Sequence, residues 1–256
     1  MNTNIAWIQW YTLTRQSVER LFRVWMQVFG APLVTSLLYI FIFGSIVGER
    51  VDFGSYQYID FILPGIIMMM VISSAFMHGS NEIYFKRFIK TIEEILTAPI
   101  PSWMYLLSIV ASGVVRSIVM AGLVFGVAVF FGAANLANVP LFLLYITLVA
   151  AIFTLLGVVV GLWAKGFEQL NIFNIFAVTP LSYLGGVFYS IQMVPEWFRI
   201  LIYANPIFYF IDGIRYSMIG LSESSILFGL TASIILFGFL FWIVVYLFKI
   251  GWGIRS

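Results

Sequence analysis

The sequence predicts an all-α integral membrane protein with six transmembrane helices. An N-terminal amphipathic helix precedes them at the membrane interface. A polar cytosolic helix separates spans two and three, and a re-entrant extracytoplasmic helical hairpin separates spans five and six. Three observations carry this prediction. The chain of 256 residues is 62% hydrophobic and 9% charged, with a mean hydropathy of +1.04, whereas soluble domains run at roughly 45–50% apolar and about 25% charged. No soluble interior hides that much hydrocarbon, so the solvent is lipid. The apolar runs are continuous rather than alternating in period two, which favours helices over a barrel. Finally, the cations gather in alternate connecting segments.

The elements follow in order, within a single membrane domain over 1–256. If 3–23 is helical, Val18, Leu21, Phe22 and Trp25 share one face while Arg15, Glu19 and Arg23 share another. Such a helix lies in the interface, with its cations toward anionic headgroups; the alternative is that it is the basic flank of the first span. Six runs then approach the ~20 residues needed to cross hydrocarbon: about 24–47, 59–78, 103–131, 139–163, 170–190 and 224–249. Pro64-Gly65 and Thr179-Pro180 with Gly185-Gly186 are kinks or close-packing points inside two of these spans. The strings "GSIVG", "GLVFG" and "GVVVG" on spans one, three and four are small-xxx-small patterns that predict close helix approach.

Residues 192–218 are apolar enough for another span, but Pro195, Glu196, Arg199, Asn205-Pro206, Asp212 and Arg215 divide them. Each half is too short to cross, and Asn-Pro reads as a turn, so two short helices dip in and return. Charge supports the count. With the N-terminus inside, the inner segments hold nine cations: Arg15, Arg20, Arg23, Lys86, Arg87, Lys90, Lys165, Lys249 and Arg255. The outer segments hold three, Arg50, Arg199 and Arg215. A seventh span would place Lys249 and Arg255 outside, against the positive-inside bias. Both termini are therefore expected in the cytoplasm.

The stretch "KRFIKTIEEILTAPIP" is the polar exception. Over about 84–98, Phe85, Phe88, Ile89, Ile92 and Leu96 recur at helical spacing, with Lys86, Lys90, Glu93, Glu94 and Thr97 on the remainder. Glu82 lies four residues before Lys86, the better order for a helix ion pair. Pro99 and Pro101 end the helix.

Several classes are excluded or disfavoured. A net charge of +2 is too small for a nucleic-acid partner, and without cysteine there is no disulfide, thiolate metal site or cysteine nucleophile. The first residues lack the pattern of a cleaved signal peptide. His78 is the single histidine, so a histidine metal site or a catalytic triad has no second member; an interfacial structural role is expected. Arg116 is the one charge deep in a span, ~20 Å from its inner end by helix rise. It is either a functional group or the partner of a backbone carbonyl or a carboxylate on another helix.

The order of these parts resembles the permease subunits of ABC-2 type exporters. The strings "FILPGIIMM" at 61–69, "IEEILTAPIP" at 92–101, "TPLSYLGGVFYS" at 179–190 and "NPIFYFIDGIRY" at 205–216 are similar to that family's own. The resemblance covers nearly the whole chain and implies a homodimer in the bacterial inner membrane with two copies of a separate ABC ATPase subunit. The chain itself has no G-x-x-x-x-G-K-[ST] loop to cradle phosphates. It is therefore not expected to be an enzyme or to bind a cofactor; ATP and Mg would sit on the partner. The polar helix corresponds to the family's coupling helix, which makes Lys86, Arg87, Lys90, Glu93, Glu94 and Thr97 the implied ATPase contacts. The substrate path falls by analogy on spans one, two and five, with Tyr39, Phe43, Met68, Met69, Tyr183, Phe188 and Tyr189 as candidates. The hairpin implies an outer gate with Glu196, Arg199, Asp212 and Arg215.

The function so implied is ATP-driven export of an amphiphilic, lipid-linked, polysaccharide or drug-like substrate. Two rivals stand beside it. An ion-gradient-driven secondary transporter would want paired mid-membrane carboxylates or histidines and inverted repeats. A lipid-modifying membrane enzyme would want His, Asp, Glu or Ser clustered at one face. Neither pattern is visible in the sequence.

Overall fold

The computed structural model describes residues 3–47, 57–92, 100–132 and 135–253. Among them there is no strand. Helix α1, Thr3–Arg23, packs against α4, Ser102–Phe130. Its Ser17 and Leu21 are buried, while Phe22 and Trp25, assigned by periodicity to the same face as Leu21, are exposed. After α1 the chain stays helical through π-helical turns at Met26–Gly30, α2 at Ala31–Tyr39, and further π turns at Ile40–Val47. Pro32 follows closely on the first π turns within this continuous helical run, and it has no N–H to give to the helix ladder.

Helix α3, Tyr58–Phe88, is the axis of the bundle. It is buried on nearly every side over 58–72, which fits a helix apolar all round. Helices α4 and α5 (Val139–Trp163) pack along it, and α9 (Pro206–Ile219) crosses its upper part. The α3–α5 seam is backbone against backbone. A Cβ on Gly79 would strike the Thr154 carbonyl, one on Gly157 the Phe76 carbonyl, and one on Gly161 would come 2.6 Å from the Ser80 carbonyl. "GVVVG" is therefore a true close-packing stripe. In "GSIVG", Gly44 packs on Ile59, whereas Gly122 and Gly126 of "GLVFG" meet nothing within 4 Å. For "GLVFG" the expected close approach is not made among the described residues.

Two boundaries differ from the sequence reading. The second span and the start of the polar helix, expected as 59–78 and 84–98, form one helix through Phe88. No strong breaker interrupts 79–88, and the Glu82–Lys86 pair supports the join. The chain turns at Ile89–Lys90, with Lys90 in the left-handed region at φ 60. Helix resumes at 91–92, and 93–99 lie outside the described residues.

The fifth expected span, 170–190, is built from three short pieces. They are α6 at Phe167–Phe173, π turns at Asn174–Val178, and α7 at Thr179–Leu184, ending at Gly185 and at Gly186 with φ 82. Five described helices are long and apolar enough to cross a membrane, and this segment is not one of them. Its Glu168, Gln169, Asn171 and Asn174 lower the hydropathy, and the glycines stop it early.

Beyond it come α8, Glu196–Ala204, and α9, meeting at Asn205, whose side chain caps α9 through Ile207 N at 3.0 Å. With nine and fourteen residues, they reach only ~14 and ~21 Å. Trp197, Ile200 and Leu201 leave α8 with an exposed apolar face. Helix α10, Ile226–Ile250, closes the bundle and ends at Gly251.

Candidate functional site

A cleft of about 300 Å³ opens where α2, α3 and α7 meet. Pro32 and Thr35 form one wall, Met69, Met70 and Ser73 the floor, and Thr179 the other wall. Tyr39 and Tyr183 close one end, their hydroxyls 2.7 Å apart. Behind them Phe188 lies 5.7 Å from the Tyr39 ring, 5.8 Å from Tyr183, and 4.6 Å from Phe43, stacked on it. Ser73 bonds to Asn174 in the floor. The π turn at Asn174 brings α7 over the cleft, and the Thr179 hydroxyl donates to the Asn174 carbonyl at 2.9 Å to hold that bend.

Of the seven expected path residues, the structure brings together Tyr39, Phe43, Tyr183 and Phe188, with Met69 on the cleft floor. Met68 is fully buried on the core side of α3. Tyr189 turns away, donating to the Leu184 carbonyl at 3.0 Å and packing on Ile191, Ile202 and Phe208. The cleft can hold an apolar or amphiphilic body against aromatic and methionine surface.

The expected coupling residues are divided. Glu93, Glu94 and Thr97 lie outside the described residues. Lys86 is buried rather than presented outward: its Nζ bonds Glu82 at 2.8 Å and sits 5.0 Å above the Tyr105 ring. Glu82 also meets Ser17 at 3.2 Å and Arg20 at 3.4 Å, tying α1 to α3. Arg87 donates to the carbonyls of Gly161 and Leu162, both at 2.8 Å, and of Ala164 at 3.2 Å, capping α5. Lys90 is exposed. Along the apolar face read from periodicity, Phe85, Phe88 and Ile89 are exposed and Ile92 is buried. The helix ends at Phe88, so its phase does not carry through the turn at Ile89–Lys90.

The four expected gate residues do not gather. Glu196 is exposed on α8, and Arg199 folds back on the Val194 carbonyl at 3.2 Å. Asp212 and Arg215 are fully buried rather than at the surface, and they do not pair with each other. Asp212 accepts from the backbone of Glu223 at 2.7 Å and of Ser224 at 2.9 Å. Arg215 donates to the Gly186 carbonyl at 2.7 Å, reaches Glu223 at 3.5 Å, and lies 3.9 Å from the Phe61 ring. Glu223 in turn accepts from Ser190 and from Ile191 N. This clip joins the loop before α10 to α9, to the turn after α7 and to α3. Sequence reasoning missed Glu223 because its partners are remote in the chain.

Two inward polar groups find hydroxyl partners. Arg116 Nε donates to Ser74 at 2.8 Å, in place of the expected carbonyl or carboxylate. His78 is buried, bonded to Ser112 at 2.8 Å between α3 and α4.

Comparison with known proteins gives two results. The family described as ABC-2 type transporter matches residues 8–219. The chain is also similar to proteins named "Inner membrane transport permease YadH" from Escherichia coli K12 and from Shigella flexneri. Each is 33% identical over 254 residues, covering 99% of both chains.

Proposed function

The chain belongs to the ABC-2 type transporter family, and we propose that it is the permease subunit of an inner-membrane ABC exporter, working as a homodimer with two copies of a separate ATPase. The observation that carries the export reading is the cleft between α2, α3 and α7, lined by Tyr39, Tyr183 and Met69 with Phe43 and Phe188 stacked behind the tyrosines. Such a surface suits an amphiphilic, lipid-linked or drug-like cargo, or a lipid-carried polysaccharide. The name of the YadH relatives supports inner-membrane transport.

In this reading ATP and Mg bind the partner subunits and draw them together. The segment after Phe88 carries that movement into α3, whose lower end is locked to α5 by Arg87 and to α1 by Glu82. The lever is therefore α3 itself, running unbroken from the ATPase side past the cleft. Glu93, Glu94, Thr97 and Lys90 remain the proposed contacts. Lys86 and Arg87 act from within, holding the lever rather than touching the partner. The six-span topology with cytoplasmic termini counts 167–184 as a short fifth span. Helices α8 and α9 form the re-entrant hairpin, and the Asp212–Arg215–Glu223 clip fastens that hairpin as the outer gate.

The test is co-reconstitution of the chain with its ATPase in proteoliposomes. ATP-dependent transport that persists when ion gradients are collapsed is expected. Transport that follows a proton or sodium gradient and ignores ATP would make the chain a secondary transporter instead. Charge reversal at Glu93 and Glu94 should abolish coupling with the permease still folded; unchanged assembly and transport would remove the coupling assignment.

A further inference from the structure

A second cavity, of about 540 Å³, lies at the other end of the bundle, between the ends of α3, α5 and α10. Arg87, Lys90 and Lys165 line it together with Tyr84, Trp163 and Trp252. No carboxylate is among its described lining residues. Lys90 and Lys165 are exposed and make no ion pair among the described residues. Trp163 and Trp252 are 48% and 41% exposed.

The end of α5 would repel an anion, because its last carbonyls carry negative partial charge. Arg87 removes that obstacle by donating to the carbonyls of Gly161, Leu162 and Ala164. The two lysines then stand over a largely apolar and aromatic floor, with no carboxylate partner among the described residues. Lys90 holds a left-handed backbone at φ 60, a conformation that costs a residue with a Cβ and that glycine would adopt freely. A lysine there places a cation at the cavity mouth despite that cost.

We propose that this cavity binds the phosphate headgroup of an anionic membrane phospholipid, with Lys90 and Lys165 on the phosphate. Tryptophans at the ends of spanning helices mark the headgroup level. A basic pocket between such ends on the cytoplasmic side is suited to anionic headgroups. The cytoplasmic placement rests on the orientation proposed above; the lipid contact does not depend on ATP or on cargo. The lipid would bridge α3, α5 and α10 next to the segment that leads to the ATPase, so membrane composition would bear on the lever.

The experiment uses the full chain, purified without its ATPase in detergent and read by native mass spectrometry with added phosphatidylglycerol or phosphatidylcholine. Lys90→Gly with Lys165→Gln is the test variant. The glycine relieves the left-handed backbone, so lost binding would not reflect lost folding. Arg87 is left intact because it caps α5. Preferential retention of phosphatidylglycerol is expected, weakened about fivefold by the loss of each lysine. Free glycerol phosphate should fail to displace it. Equal retention of phosphatidylcholine, or a variant that binds as the wild type does, would overturn the proposal. Displacement by glycerol phosphate at comparable concentration would assign the site to a soluble phosphate and overturn the lipid.

Discussion

Lys86 reaches back one turn along α3 to Glu82, Nζ to Oε1 at 2.8 Å, with side chains 9% and 7% exposed. Arg20 and Ser17 complete the carboxylate from α1. Removing one partner of a buried pair leaves an uncompensated charge and costs about 3–5 kcal/mol. Glu82→Gln strands Lys86 and should lower thermal stability in detergent by more than Lys86→Met, after which Glu82 keeps Arg20 and Ser17. The double variant should be more stable than Glu82→Gln alone. Strict additivity in a melting series would show that the pair is not coupled.

Asp212 ends two backbone donors, Glu223 N and Ser224 N, inside the bundle. Hydrogen bonds to a charged group are worth about 1.5–3 kcal/mol each. Asp212→Asn keeps the shape but loses the charge and places an N–H₂ where an acceptor is needed. The expected result is a loss of about 2–4 kcal/mol and faster proteolysis in the loop over 220–225. Glu196→Gln, on an exposed side chain, should change neither. Equal protease sensitivity in all three proteins would dissolve the clip.

These cases show what the sequence could display. Glu82 and Lys86 are four apart, so helix spacing alone exposed their contact. Asp212 and Arg215 are three apart, also at helix spacing, yet the fold does not pair them. Each has a stronger partner in the loop at 223–224 or the turn at 186, eleven to twenty-nine residues away in sequence. Local periodicity cannot report such partners. The helix break at Asn205-Pro206 was legible because Asn caps and Pro starts a helix locally. The union of the second span with the polar helix was not, since the composition shift and the weak helix formers Gly79, Ser80 and Asn81 read as a boundary, while packing of Gly79 on α5 carries the helix through. The cleft was legible in part: its spans came from family resemblance, and only three-dimensional packing separated Tyr39 and Tyr183 from Met68 and Tyr189.

The α3–α5 seam allows a steric test. Gly157→Ala would push a methyl into the Phe76 carbonyl. Neither helix backbone can yield without parting the seam, so a loss in the overpacking range of about 1–3 kcal/mol or more is expected. Gly126→Ala, with nothing within 4 Å, should be neutral for the isolated chain, as surface changes usually are. Thermal unfolding of the monomer reads both. If Gly157→Ala unfolded at the wild-type temperature, the backbone contact would be absent in solution.

The Tyr39–Tyr183 bridge separates stability from transport. A hydroxyl pair contributes only about 0.5–1.5 kcal/mol, and Tyr183 is exposed enough for its hydroxyl to find other partners. Under the proposed exporter role, Tyr39→Phe and Tyr183→Phe should therefore fold, assemble with the partner ATPase and leave its ATP hydrolysis in the absence of cargo unchanged. Both remove one bridge, so the double variant should be no worse than either single change. What should move is cargo-dependent stimulation of ATP hydrolysis and the transport rate, because the rings at the end of the cleft lose their fixed register and can rotate. Met68→Leu is the control. The side chain is fully buried on the core side of α3, and a volume-conserving exchange costs under about 1.5 kcal/mol. It should leave cargo preference unchanged. Should Met68→Leu shift cargo preference as far as the tyrosine variants do, the path would run through the core side of α3, and the cleft would lose its role.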